Sequence, residues 1–280
     1  MLRLDPEHVQ VGAWPPLVLP DTPDVRAVLQ AVDGVRDADR VTQVAAQRSG
    51  LDVETVRATL ADLRRSGAVV DTTDWPASVP VDEVHAAVLR GDHPASLARR
   101  RGFAVQVHAP GSARGLGRLV AVAGELGGLP VDTTVPGSEP ELLVVASVGE
   151  PARDSIDSAA QSGMRVLPIV LAEGRAVVGP WVHRGRTPCL RCADAAEARW
   201  GGRPALPPAD RGSDRPHGVG VGVLQAAAAL VVGDALAAAD GKRPVTVASR
   251  WVLGPRPGAA THRDVAFAPE CSCHLFAPVS

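Results

Sequence analysis

Apolar and polar positions change rhythm twice along the chain. Between Val41 and Arg65 the apolar residues recur at helical spacing, first through Val41, Val44 and Ala45, then through Val53, Val56, Leu60 and Leu63. Ser49-Gly50 breaks the run, so the pattern predicts two helices, with Asp52 capping the second. Gly67 ends that helix, and the β-branched run Ala68-Val69-Val70 predicts a strand. Helix, turn, helix, strand between Leu17 and Asp71 is the outline of a winged helix, which is assigned to residues 1–75.

The next stretch is polar and rich in proline from Thr72 to Pro80. It continues through a short predicted helix at Val84 to Leu89 and a basic triplet, Arg99-Arg100-Arg101, read as a solvated face. Together these make a connector over 76–101. From Gly102 the pattern becomes one of strands alternating with helices. Strands are predicted at Phe103 to His108, Leu129 to Val135, Glu141 to Val148 and Val166 to Leu171, with helices around Leu116 to Leu126 and Asp154 to Ser162. This alternation predicts an α/β domain over 102–280, built on a parallel sheet with right-handed crossovers.

Val219 to Ala239 is long and apolar enough to suggest a membrane span. It contains Gln225 and Asp234, and its apolar weight is largely alanine, so it is assigned as a buried helix of a globular domain. Arg203 to Pro216, rich in proline, arginine and aspartate, is read as an exposed crossover loop.

Composition adds exclusions. Hydrophobic residues make up 45% and charged residues 21% of 280, and 29 basic residues face 31 acidic ones for a net charge of -2. Nothing in that balance favours nucleic acid or anionic lipid. Arg36 to Val70 has six arginines against four aspartates and one glutamate, a balance of +1. The helical unit is therefore expected to dock a peptide rather than DNA, along a groove beside the predicted strand, with Val56, Leu60, Arg64 and Val69 as candidate contacts. Met1 to Pro6 lacks the apolar run of a secretory signal, so a cytoplasmic location is expected.

Four cysteines carry the sharpest chemical signal. Pro188-Cys189-Leu190-Arg191-Cys192 is a CxxC knuckle, and Glu270-Cys271-Ser272-Cys273 supplies a second pair. Two local turns that each present two sulfurs can enclose one tetrahedral zinc ion, with Cys189, Cys192, Cys271 and Cys273 as ligands. A four-thiolate site has no open position for water, so the metal is expected to be structural. His274 follows the second pair as a neighbour of the site rather than a ligand.

The loop Gly111-Ser112-Ala113-Arg114-Gly115-Leu116-Gly117-Arg118-Leu119-Val120 contains a GxG, but Val120 stands where a dinucleotide loop has its third glycine. It is read as a loop with a helix start. No serine, histidine or aspartate sits in a nucleophile-elbow pattern, which leaves hydrolase chemistry without support.

Taken in order, the α/β unit, the segment Gly179-Pro180-Trp181-Val182-His183-Arg184-Gly185-Arg186-Thr187-Pro188-Cys189-Leu190-Arg191-Cys192, the alanine-rich helix and the second cysteine pair resemble the ThiF-like branch of the ubiquitin-activating-enzyme superfamily. More narrowly, the chain is similar to actinobacterial ThiF-like proteins that serve as cyclodehydratase partners or bind precursor leader peptides. The resemblance covers roughly Leu4 to Cys273, and GxxPCLRC is its most specific part. It implies a Rossmann-like domain with structural zinc, preceded by a winged-helix peptide-recognition domain, and a homodimer.

Adenylating members of that branch use an acid after the second strand, a lysine and arginine for phosphates, and an aspartate after the fourth strand for magnesium. Here Asp132 comes too early, Ala146-Ser147-Val148-Gly149 has no aspartate, and Lys242, the only lysine, follows the long helix. All four cysteines are committed to the metal, which leaves no thiol for a thioester. ATP is therefore not expected as a cofactor. The expected role is a non-catalytic scaffold for a precursor peptide or a partner enzyme. The alternatives are an adenylating enzyme or cyclodehydratase component, and a winged-helix DNA-binding regulator.

Overall fold

The computed structural model describes residues 2–12, 16–72, 75, 92, 94–133, 140–199, 201–202, 218–256 and 260–276. The chain divides into two compact units, Met1–Pro94 and Ala95–Ser280.

In the first unit three short strands precede three helices. Strands β1 (Leu2–Arg3), β2 (His8–Val11) and β3 (Leu17–Pro20) form an antiparallel sheet in that order. Helices α1 (Pro23–Ala31), α2 (Ala38–Ser49) and α3 (Val53–Arg65) follow, and the helix–turn–helix read from periodicity is α2 and α3. Asp37 accepts from the Arg40 N–H to start α2, and Asp52 accepts from the Glu54 and Thr55 N–H groups to start α3. Val9, Leu19, Val28, Val41, Ala45, Val56, Leu60 and Leu63 make the core.

The predicted strand at Ala68 to Val70 does not form. The Val69 N–H instead donates to the Leu63 carbonyl at 3.1 Å, so these residues wrap the end of α3. Among the described residues the strands of this unit lie before the helices rather than after them. The predicted helix at Val84 to Leu89 lies outside the described residues, as does the loop at 203–216.

The second unit is built on a seven-stranded mixed sheet. Its strands are β4 (Val105–His108), β5 (Val131–Asp132), β6 (Leu142–Val148), β7 (Arg165–Ala172), β8 (Arg175–Val178), β9 (Ser249–Leu253) and β10 (Ala260–Asp264), in the order β10-β9-β8-β7-β6-β4-β5. Strands β5, β4, β6 and β7 are parallel, as the alternation predicts. An antiparallel arm, β8, β9 and β10, extends the sheet beyond them. Of the second predicted strand, Leu129 to Val135, Val131–Asp132 forms, and residues 134–135 lie outside the described residues.

Alternation along β6 explains both layers. Leu142, Val144 and Ala146 face one side, where α5 (Arg114–Leu126) and α8 (Val221–Ala239) cover the sheet. Val145 faces the other side, against Ile156, Ala159 and Ala160 of α6 (Arg153–Gln161). The glycines of α5 serve this packing: a Cβ on Gly124 would fall 2.3 Å from the Val131 side chain, and one on Gly117 3.1 Å from that of Ala109.

Arg99-Arg100-Arg101 is the last turn of α4 (Pro94–Arg101); Arg99 and Arg101 are exposed, as read from the sequence, whereas Arg100 is buried. The Arg100 side chain is 5% exposed and donates twice to the Asp240 carboxylate, itself 7% exposed, at 3.0 and 2.6 Å. A helix end that reads as surface from its charge is thus pinned to the C-terminal end of α8. Helix α8 also departs from expectation: Val223, Ala227, Val231 and Ala235 are buried, while its other side is exposed. It is one helix, among the described residues, long and apolar enough to cross a membrane by length and composition.

Candidate metal centre

The segment that carries the first cysteine pair is shaped before it reaches them. Val182 pairs with Val166 through two backbone hydrogen bonds of 2.8 Å, which fasten the chain to β7. A tight turn follows, in which the Arg186 and Thr187 N–H groups donate to the His183 carbonyl and the His183 N–H donates to Thr187 Oγ1 at 2.7 Å. Pro188 leads out of that turn and Cys189 stands just before α7 (Leu190–Arg199), with Cys192 in its first turn. Side chains at that spacing share one side of a helix start.

The second pair arrives from a loop. The Cys271 N–H donates to the Ala268 carbonyl at 2.9 Å, and a 3₁₀ turn, Ser272–Phe276, holds Cys273. The same loop touches the first pair directly, because the Ala268 N–H donates to Cys192 Sγ at 3.4 Å.

All four sulfurs lie within 4.8 Å of one another. Cys189 Sγ is 3.5 Å from Cys271 Sγ and 3.9 Å from Cys192 Sγ, and Cys192 Sγ is 3.5 Å from Cys273 Sγ. These separations are too long for a disulfide, whose sulfurs sit about 2.05 Å apart. They match the edges of a tetrahedron of thiolates about 2.3 Å from a central ion, which are about 3.8 Å long. Cys192, Ala193, Val265, Ala268 and Cys271 form a small apolar core around the cluster. The four sequence-predicted cysteines are therefore brought together, and the cluster could hold a metal ion.

Electrostatics sharpen the fit. Burial pushes the Cys189 thiol up to about 11, and the neighbouring sulfurs of Cys271 and Cys192 add to the rise. Burial pushes Cys273 up as well. Cys271 is also buried, yet the Cys273 backbone N–H and hydrogen bonds among the sulfurs hold it below the ordinary thiol range. Burial that disfavours the thiolate at Cys189 and Cys273 is a cost that a divalent cation would relieve by displacing their protons. The backbone contributes too: the Cys192 N–H donates to Cys189, and the Cys273 N–H to Cys271, so each knuckle stabilises its own leading sulfur.

The predicted peptide contacts are distributed differently. Val56 and Leu60 are buried in the core of the first unit, so they hold helices together rather than face a ligand. Arg64 is ion-paired with Asp71, and Val69 is half-buried. Periodicity alone had marked Val56 and Leu60, and that same periodicity is what buries them. A feature that sequence reading did not find is the outer edge of β3, which among the described residues pairs with β2 on one side only; Val18 there is 51% exposed.

At the C-terminal ends of β4 and β6, where doubly wound sheets seat nucleotides, the chain makes a 3₁₀ turn, Gly111–Ala113, that touches β6. Gly111 and Ala113 are buried there. Ser147 near the end of β6 donates to the Ile169 carbonyl at 3.4 Å, and Asp132 lies within β5.

No family model matches the chain, and no curated protein matches it by sequence. Solved structures do. A heterocyclase in complex with substrate and cofactor is similar over 97% of this chain, with a TM-score of 0.65 at 15% identity. The heterocyclase TruD is similar over 96%, with a TM-score of 0.65 at 16% identity. This chain spans 38% of the first and 41% of the second, about two fifths of their length. MccB of E. coli in complex with ATP is similar over 97% of this chain and 99% of its own, with a TM-score of 0.54 at 12% identity. MccB has also been solved with the peptide MccA. At these identities the likeness is one of fold.

Proposed function

We propose that this chain is a ThiF-like, non-catalytic scaffold of modified-peptide biosynthesis that binds a precursor leader peptide, a partner enzyme or both. A single structural zinc ion in the four-cysteine cluster, reduced as in the cytoplasm, ties Cys189 and Cys192 to Cys271 and Cys273. The observation that carries the reading is the fold likeness across nearly the whole chain to heterocyclases and MccB, together with strand ends that hold Ser147, Val148 and Gly149 where phosphate and magnesium chemistry needs charge.

The first unit supplies the docking surface as a winged-helix-like module, with the open edge of β3 in place of the predicted strand after α3. A peptide added there as a fourth strand would gain main-chain hydrogen bonds and place alternate side chains toward the helices. DNA is disfavoured by local charge pairing: Arg57 pairs with Glu54, Arg64 with Asp71 and Arg65 with Asp62, so the arginines of α3 are already neutralised.

Titration of the full chain with leader peptides from neighbouring genes, and with duplex DNA, tests this. Peptide binding with weak salt dependence is expected. DNA binding that falls by orders of magnitude between about 50 and 200 mM salt would overturn it.

A second reading, an adenylating enzyme, is favoured by the end-to-end likeness to MccB, solved with ATP. Pyrophosphate exchange in the presence of peptide, ATP and magnesium would replace the scaffold with that enzyme.

A further inference from the structure

We infer that the four-cysteine cluster is a redox lock with two closed states: oxidised by a peroxide it forms two disulfides, Cys189–Cys271 and Cys192–Cys273, which join the same two segments that a metal ion joins when the sulfurs are reduced. The inference rests on the positions of the sulfurs and not on the scaffold reading.

Accessibility assigns the roles. Cys189 and Cys273 are half-buried, whereas Cys192 and Cys271 are buried, at 0% and 8% exposed. An oxidant arriving from solvent therefore meets Cys189 and Cys273 first. Each has a buried sulfur of the opposite pair beside it: Cys271 lies 3.5 Å from Cys189, and Cys192 lies 3.5 Å from Cys273. Cys189 and Cys192, within one knuckle, stand farther apart at 3.9 Å. The crossed pairing uses all four sulfurs through both 3.5 Å contacts, and each bond needs an approach of about 1.5 Å to reach disulfide length.

The chemistry balances without a further reactant. The Cys189 sulfur attacks hydrogen peroxide, the O–O bond breaks, and a sulfenic acid forms as one water leaves. The Cys271 sulfur then attacks the sulfenic sulfur, the S–S bond forms, and a second water leaves. Two thiols have given up two electrons and two protons to one peroxide. Cys273 and Cys192 repeat the sequence with a second peroxide. A sulfur in a disulfide is no longer a thiolate ligand, so the cluster holds an ion or the two disulfides.

The surroundings keep the crossed partners in register while one state replaces the other. The Ala268 N–H donates to Cys192 Sγ at 3.4 Å, the Val265 N–H donates to the Ala248 carbonyl at 2.8 Å, and Ala193, Val265 and Ala268 pack around the sulfurs. The crossed bonds also close the long loops, of 82 and 81 positions. A bond within a knuckle closes a short loop and ties nothing distant, so the crossed pairing is the one that restrains the unfolded chain.

Titration of the full chain with hydrogen peroxide tests this, followed by tryptic mapping without reductant. About two equivalents are expected to be consumed as the four thiols disappear. Trypsin separates Cys189 from Cys192 at Arg191 and leaves Cys271 and Cys273 on one peptide. The crossed state therefore yields three peptides held together, and tandem mass spectrometry that breaks the backbone at Ser272 assigns each bond. The oxidised chain is expected to keep the cooperative thermal transition of the second unit in the presence of a chelator, and to lose it when dithiothreitol is added with the chelator. A Cys189–Cys192 bond, a mixture of pairings, four thiols that survive the peroxide, or an oxidised chain that loses its transition to the chelator alone overturns the inference. Each of these outcomes is read without a peptide ligand, so it is distinct from a failure of leader-peptide binding.

Discussion

The two units hold themselves together over different distances. In the first, helix starts are fixed from close by: Asp37 reaches the Arg40 N–H and Asp52 the Glu54 and Thr55 N–H groups, within three positions. In the second, the ties span the chain. Arg250 reaches Glu197 across 53 positions, Cys189 meets Cys271 across 82, and Arg100 clamps Asp240 across 140. Local ties add small, separable increments, whereas a long-range tie closes a large loop and fails as a unit. The second unit should therefore answer to single changes with larger losses than the first.

The largest effect is expected from the metal. Chelation, or Cys189→Ser, should unfold the second unit cooperatively, because structural zinc contributes about 10–16 kcal/mol in small zinc domains. Metal analysis should find one zinc per chain before treatment, and the cooperative thermal transition of the second unit should vanish afterwards while helical signal from α1 to α3 persists. No bound metal, with four freely titrating thiols in the folded chain, would remove the comparison. The affinity should also fall as pH falls. Burial holds Cys189 up to about 11, so at neutral pH the ion must displace its proton, and acid favours the proton.

Next is Arg100→Ala. It leaves Asp240 buried without its partner, and breaking one side of a buried pair costs about 3–5 kcal/mol. Denaturant unfolding of the second unit should show it.

Asp234→Ala should cost somewhat less, about 2–3 kcal/mol in the same assay. The Asp234 carboxylate accepts from the Val245 N–H, the Thr246 N–H and the Thr246 hydroxyl, and these donors would lose their acceptor inside the fold.

The smallest effect is expected in the first unit. Asp52→Ala removes an N-cap and should lower stability by about 1 kcal/mol, with the second unit unchanged. A loss larger than that of Arg100→Ala would invert the contrast between the units.

The same contrast decides what was legible in the sequence. Periodicity and a capping aspartate locate α2 and α3 because both act within one or two turns. The cysteine cluster was legible for a related reason: each knuckle is a local motif, and two pairs of soft donors have one economical arrangement. The role of Arg100 was not legible, since three consecutive arginines look solvated until a carboxylate 140 positions away is brought against one of them.

Val69 was misplaced because a β-branched run favours a strand only where a neighbour can pair with it. After α3 the Leu63 carbonyl takes its N–H instead. The strands before α1 are short and weakly patterned, and β1 has two residues, too few for alternation to register. The exposed side of α8 was missed because uniform apolarity carries no periodic signal of which side is covered.

The distance between the cysteine pairs also has a meaning in time. Cys189 leaves the ribosome 82 residues ahead of Cys271, and at about 5–20 residues per second the gap is roughly 4–16 s. During that interval the first pair can offer an ion two sulfurs at most. The nascent chain therefore passes through a stage in which Cys189 and Cys192 stand without the second pair.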